Sequence, residues 1–132
     1  MTIRKRILTD AFLAEILPSE RADTFFDAIY GGAEEGAFDI SLKEVGLDEG
    51  ENELHLEYLL TERPGKCIAC SLTYGLPQVF ERHPVIDIAG TVERIGEALK
   101  PKWKITGWRL GATRAAAPKV HSIPFVLKLQ KI

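Results

Sequence analysis

The sequence predicts an α+β fold, an antiparallel sheet with helices packed on it, in the order α-β-β-β-α-β-β. Three observations lead there. Residues 38–74 carry three runs of alternating apolar and polar residues, the pattern of strands with one buried face. Two stretches on either side, 9–30 and 84–99, repeat apolar residues at helical spacing. The last third returns to alternation, so a three-strand meander is followed by two C-terminal strands.

Ile3-Arg4-Lys5-Arg6-Ile7 fits a short edge strand or a loose basic arm, covering residues 1–8 of a single domain that spans 1–132. Thr9 or Asp10 can accept hydrogen bonds from the free amides of a first helical turn, and Phe12, Leu13, Ile16 and Leu17 form its apolar stripe. Pro18 interrupts. Ser19 offers a second N-cap, followed by Ala22, Phe25, Phe26, Ile29 and Tyr30, and Gly31-Gly32 ends the helix. This aromatic spacing is what packing on a sheet requires, so the ring pair reads as core rather than as a cofactor site.

In the meander, Phe38, Ile40 and Leu42 alternate with Asp39, Ser41 and Lys43; Leu54, Leu56, Tyr58 and Leu60 repeat the pattern, as do Ile68, Cys70, Leu72 and Tyr74. A three-residue loop, Asp48-Glu49-Gly50, would set Leu42 opposite Leu56, Ile40 opposite Tyr58 and Phe38 opposite Leu60. An odd-length loop at Pro64-Gly65 would set Leu60 opposite Cys70, keeping the apolar sets together. Gly75-Leu76-Pro77 ends the third strand, and one helical turn through Phe80 precedes the strongest helix. That helix starts at His83-Pro84, carries Val85, Ile88, Val92, Ile95 and Leu99, and stops at Lys100-Pro101. Beyond it, Trp103 and Ile105 share one face and Trp108 and Leu110 the other, unless a bulge at Gly107 brings all four together. Residues 111–119 read as a loop, and Phe125, Leu127 and Leu129 mark the final strand.

The chain has 132 residues, 45% of them hydrophobic and 27% charged, which suits one globular domain. The basic residues near Met1 are followed by no long apolar run, so neither a secretory signal nor a membrane span is expected, and the expected location is cytoplasmic. Two cysteines do not make a disulfide framework. The net charge of -2 conceals an asymmetry: residues 1–90 hold 8 Lys and Arg against 17 Asp and Glu, and residues 91–132 hold 9 against 2. The ordinary outcome is that the two parts meet within the fold or between subunits; the sharper one is that the basic part binds an anionic partner.

No motif specifies a reaction. Cys67-Ile68-Ala69-Cys70 has a metal or redox spacing, but on a strand residues three apart face opposite ways, and no second pair of ligands follows. His55, His83 and His121 are scattered; Ser71 and Ser122 lack a glycine-flanked elbow; and Gly107 to Gly111 lacks the lysine and hydroxyl of a phosphate loop. No catalytic residue, cofactor or metal is therefore expected. Two surfaces stand out instead. Leu59, Cys67, Ala69 and Ser71 would give the second sheet face an apolar interaction patch, and Lys100, Lys102, Lys104, Arg109, Arg114 and Lys119 gather around two tryptophans as a candidate anion or nucleic-acid site. The element order resembles that of the small acidic chaperones of type III secretion, whose final helix has no counterpart here. That resemblance implies a dimer that binds another protein. The expected function is thus a non-catalytic binding or adaptor domain, a homo-oligomer or the partner of another protein; the alternatives are anion or nucleic-acid binding through residues 100–119 and a small pocket enzyme.

Exchange of Cys67 and Cys70 for serine is expected to leave metal content at background and to cost only local packing. Stoichiometric zinc in the purified protein, read by elemental analysis, would overturn that expectation.

Overall fold

The computed structural model describes residues 7–18, 20–30, 38–64 and 80–132. Residues 1–6, the cap Ser19 and the predicted third strand, including Ile68, Cys70, Leu72 and Tyr74, lie outside them. The elements are α1 (Asp10–Ile16), α2 (Arg21–Tyr30), β1 (Phe38–Asp48), β2 (Glu53–Glu62), α3 (Ile88–Leu99), β3 (Trp103–Leu110), β4 (Arg114–Ala117) and β5 (Val120–Lys131). They form an antiparallel five-stranded sheet in the order β1-β2-β5-β3, with β4 paired to β5 beyond the end of β3. The fold class is the expected one: α+β, with helices packed on one antiparallel sheet.

Local chemistry accounts for the helix ends. The Thr9 hydroxyl accepts from Phe12 N at 3.1 Å, as its capping role predicts; α2 is described through Tyr30, and the glycine pair expected to end it lies outside the described residues. α3 starts later than expected. Pro84 to Ile86 form a turn, Phe80 to Arg82 a separate helical turn, and Asp87 caps α3 from a left-handed conformation with its carboxylate on Gly90 N. A side chain at Gly90 would collide with that carboxylate, which explains the glycine in the first turn.

The β1–β2 register differs from the predicted one by two residues. Leu42 lies opposite Tyr58, and Ile40 opposite Leu60. The connection is a four-residue loop, Glu49 to Asn52, which alone would turn one apolar set outward; an extra residue, Val45, bulges from β1 between Glu44 and Gly46 and restores the phase. Gly46 has φ 153°, a conformation that suits glycine at this bulge.

A second correction concerns the neighbour of β2. Its other edge pairs with β5, Leu54 opposite Leu127, Leu56 opposite Phe125, Tyr58 opposite Ile123 and Leu60 opposite His121. β5 takes the place assigned to the third meander strand. At β3 the anticipated bulge is present between Ile105 and Gly107, and it sets Trp103, Ile105, Trp108 and Leu110 opposite Lys131, Leu129, Leu127 and Phe125, all towards the core.

α1 and α2 pack on β1, and α3 packs on β3. The core between helices and sheet centres on Tyr58, whose ring stacks on Phe125 with centroids 5.5 Å apart and meets the edge of Phe80 at the same distance; Phe25, Phe26 and Phe38 continue the cluster. Arg21 holds the helical layer together by donating to Val85 O at 2.9 Å and to Ile16 O at 3.5 Å. The buried Glu44 carboxylate accepts from Ile7 N and Leu8 N at 2.8 and 2.7 Å, fixing the segment that leads into α1. Among the described residues no helix is long and apolar enough to cross a membrane.

The Tyr58 hydroxyl is buried and meets no hydrogen-bond partner at bonding geometry among the described residues, beside the Thr91 hydroxyl, which donates to Asp87 O at 3.1 Å, and burial raises its pKa. Removing an unpaired buried polar atom is neutral or favourable, whereas removing the ring opens a cavity. Thermal or urea unfolding of Tyr58→Phe is therefore expected to match or exceed the parent, and Tyr58→Ala to lose about 3–5 kcal/mol. A loss of more than about 1 kcal/mol in the phenylalanine variant would show that the hydroxyl is paired.

Candidate binding surface of the sheet

Residues opposite one another across antiparallel strands share a face, so the core side chains of β1, β2 and β5 define the outer face by subtraction. On that face Arg109 of β3, Val126 of β5 and His55 of β2 form one row. Lys128 and Glu53 form the next, Lys104 and Gln130 lie towards one end, and Arg114, Ser122, Leu59 and Ser41 cross the other. The core cluster draws its helical residues from α1, α2 and α3, all on the opposite face. Long side chains of the outer face cover its smaller ones: Val126 and Ser122 are buried there, and Arg114 Nε lies 3.5 Å from Ser122 Oγ.

Glu53 organises the middle of this face. It is only 7% exposed, and its carboxylate meets Lys128 Nζ at 2.6 Å, Arg109 Nη1 at 3.3 Å and His55 Nε2 at 3.2 Å. The hydrogen bond from Lys128, followed by that from Arg109, outweighs burial and holds its pKa at about 2. One carboxylate thus fixes two permanent cations and a histidine. The cluster keeps a positive excess, and the outward sides of Arg109 and Lys128 remain more than half exposed.

Of the six predicted anion-site residues, Lys104, Arg109 and Arg114 share the outer face. Lys100 follows α3 and pairs with Glu97 at 3.0 Å, Lys102 lies in the turn before β3, and Lys119 occupies the β4–β5 turn with φ 65°, its carbonyl accepting from Glu62 N. The tryptophans lie on the other side: Trp103 is 8% exposed, under the Lys131 ammonium, and Trp108 is 37% exposed at the rim, edge-on to Phe125. The indoles therefore do not share a face with Lys104, Arg109 and Arg114. Of the predicted interaction patch, Leu59 lies on the outer face, half-buried, and Cys67, Ala69 and Ser71 lie outside the described residues. His55 engages Glu53, and His121 sits opposite Leu60 towards the core.

The sequence reading missed Glu53 and Lys128. They are 75 positions apart, and only the β2–β5 pairing brings them together. The acidic and basic parts of the chain meet at Glu53, while other charges of the two parts stand apart. Acidic Glu20, Asp23 and Asp39 lie along β1 and its helices, whereas Lys104 and Arg109 lie on β3, three strand spacings or about 14 Å away. Glu53 is where the two sets meet on the outer face, and Arg63 ties Asp23 at 2.7 Å to Asp39 at 3.0 Å at the acidic edge. Comparison of the chain with protein-family models, with curated proteins and with solved structures finds no match.

Because the folded pKa of Glu53 is lowered, its contribution to stability is complete above about pH 4.5 and is lost as the pH falls towards 2. The exposure of Arg109 and Lys128 screens the interaction, leaving on the order of 1–2 kcal/mol. Urea unfolding is expected to show Glu53→Gln less stable than the parent by that amount at pH 7, with the gap closing between pH 4.5 and 2. A gap independent of pH would contradict this account of the cluster.

Proposed function

We propose that this chain is a non-catalytic docking domain whose outer face, over the part where β3, β4 and β5 carry Lys104, Arg109, Arg114 and Lys128, engages an acidic protein surface. The alignment of these four cations on one face of β3, β4 and β5 carries the reading. Glu53 supports it by pre-positioning Arg109 and Lys128, which reduces the side-chain ordering cost of binding. The half-buried Leu59, Pro124 and Val120 supply apolar contact area between the charges. Placement of both tryptophans on the other side favours a protein partner over single-stranded nucleic acid, for which stacking is the main source of affinity beyond charge.

The test is fluorescence anisotropy with a labelled polyglutamate peptide and a labelled single-stranded oligonucleotide, at low and at physiological salt. Polyglutamate is expected to bind at low salt, and Lys104→Glu combined with Arg114→Glu to weaken it about tenfold. Oligonucleotide binding is expected to vanish at physiological salt. Unchanged polyglutamate affinity in the double variant, or oligonucleotide binding that survives physiological salt, would overturn the proposal.

A further inference from the structure

We infer that the acidic partner is an extended strand of alternating apolar and acidic residues, added to the free edge of β3. This rests on the docking function proposed above and specifies the form and chemistry of its partner. β3 ends the sheet order, and among the described residues no strand pairs with its outer edge. The ladder on its other side decides which backbone groups that edge offers. Lys102 O accepts from Ile132 N at 3.2 Å and Gly111 N donates to Pro124 O at 2.8 Å, so, with the bulge at Thr106 counted, Lys104, Gly107 and Arg109 turn their amides and carbonyls towards β5. Trp103, Ile105, Trp108 and Leu110 turn theirs outward.

The two sides of this edge differ in character. On the core side a groove of about 380 Å³ runs between α3 and β3, floored by Val92, Trp103, Ile105 and Ile132, with Gly96 leaving room beside Ile105. Glu93, Glu97, Lys100 and Lys104 also line it, and their charges balance, Glu97 bonding Lys100 at 3.0 Å. Apolar contact rather than charge therefore selects what enters. Beyond the bulge, Trp108, 37% exposed, and the partly buried Leu110 continue the apolar side.

On the outer side the edge is basic. Lys104 is exposed and forms no ion pair among the described residues, and Arg109 keeps more than half of its side chain exposed beyond its contact with Glu53. Side chains of an added strand alternate between the same two sides. An alternating partner thus lays its apolar residues over the groove and brings its carboxylates within cross-strand reach of Lys104 and Arg109. A lysine and a bulge deter pairing with another basic edge, and they admit a short strand of opposite charge.

The test is fluorescence anisotropy of the full chain at low salt, with a labelled peptide of alternating glutamate and valine about as long as β3 and a labelled polyglutamate of equal charge. The alternating peptide is expected to bind about tenfold more tightly than polyglutamate. Methylating one alternate set of its backbone amides, the set that faces β3, is expected to abolish that difference, and methylating the other set to preserve it. In Gly96→Leu the new Cβ meets Ile105 Cδ1 at an ordinary 3.6 Å, and the rest of the side chain fills the groove. This variant is expected to lose the preference for the alternating peptide and to keep its affinity for polyglutamate. Circular dichroism checks that it folds, and the methylated peptides test the edge without any variant. Equal affinity for the two peptides, or tolerance of both methylations, overturns this inference alone; if neither peptide binds at low salt, the docking function falls as well. A dimer in sedimentation velocity that the alternating peptide does not dissociate would give the edge to a second copy and also overturn the inference.

Discussion

The constraint on which the rest of the structure depends is parity: a strand presents alternate residues to its two faces, so every insertion of one residue exchanges inside for outside. Two places in the long strands of this sheet would break that rule if left uncorrected, and the short β4 carries a further shift between Ala115 and Ala117. The four-residue loop between β1 and β2 is offset by the extra residue at Val45, and the odd spacing of Ile105 and Trp108 is offset at Thr106. With both bulges in place, Phe38, Ile40 and Leu42 of β1, the even-numbered residues of β2 from Leu54 to Leu60, the odd-numbered residues of β5 from Ile123 to Leu129 and all four large side chains of β3 point one way. The helices need only cover that single surface.

Topology also settles where the charges go. A meander would have kept neighbours in sequence beside each other, but β5 inserts between β2 and β3 and carries the basic C-terminal part across the sheet. Lys128 then faces Glu53, the one carboxylate that receives both fixed cations, while α1, α2 and β1 keep most of their acids at the far edge. Coulomb attraction between edges that far apart is largely screened in solution, so the sheet holds the separation mainly through apolar burial. The surface is left electrically polarised.

Much of the local structure was legible because it depends on neighbours in sequence. Thr9 as a cap, the apolar stripe of α3 and the bulge beside Gly107 each follow from a few adjacent residues. The β1–β2 register was off by two because loop length and bulge compensate each other, and burial patterns alone cannot tell a compensated shift from none. The partner of β2 was not legible at all: Tyr58 and Leu60 announce a buried face, and many alternating strands could satisfy it. The candidate site inherits that difficulty. Lys104, Arg109 and Arg114 were visible as a cluster, whereas Glu53, His55 and Lys128 became part of it only when β5 found its place.

Placing the two indole rings at opposite ends of one edge strand gives the protein a pair of optically separate reporters. Trp103 sits beneath an ammonium in an apolar niche, and Trp108 stands at the rim against Phe125. A water-borne quencher such as iodide reaches the second far more readily than the first, and emission from the first lies further to the blue. Whatever settles along β3 therefore changes the two signals unequally, and the edge can be followed without a label.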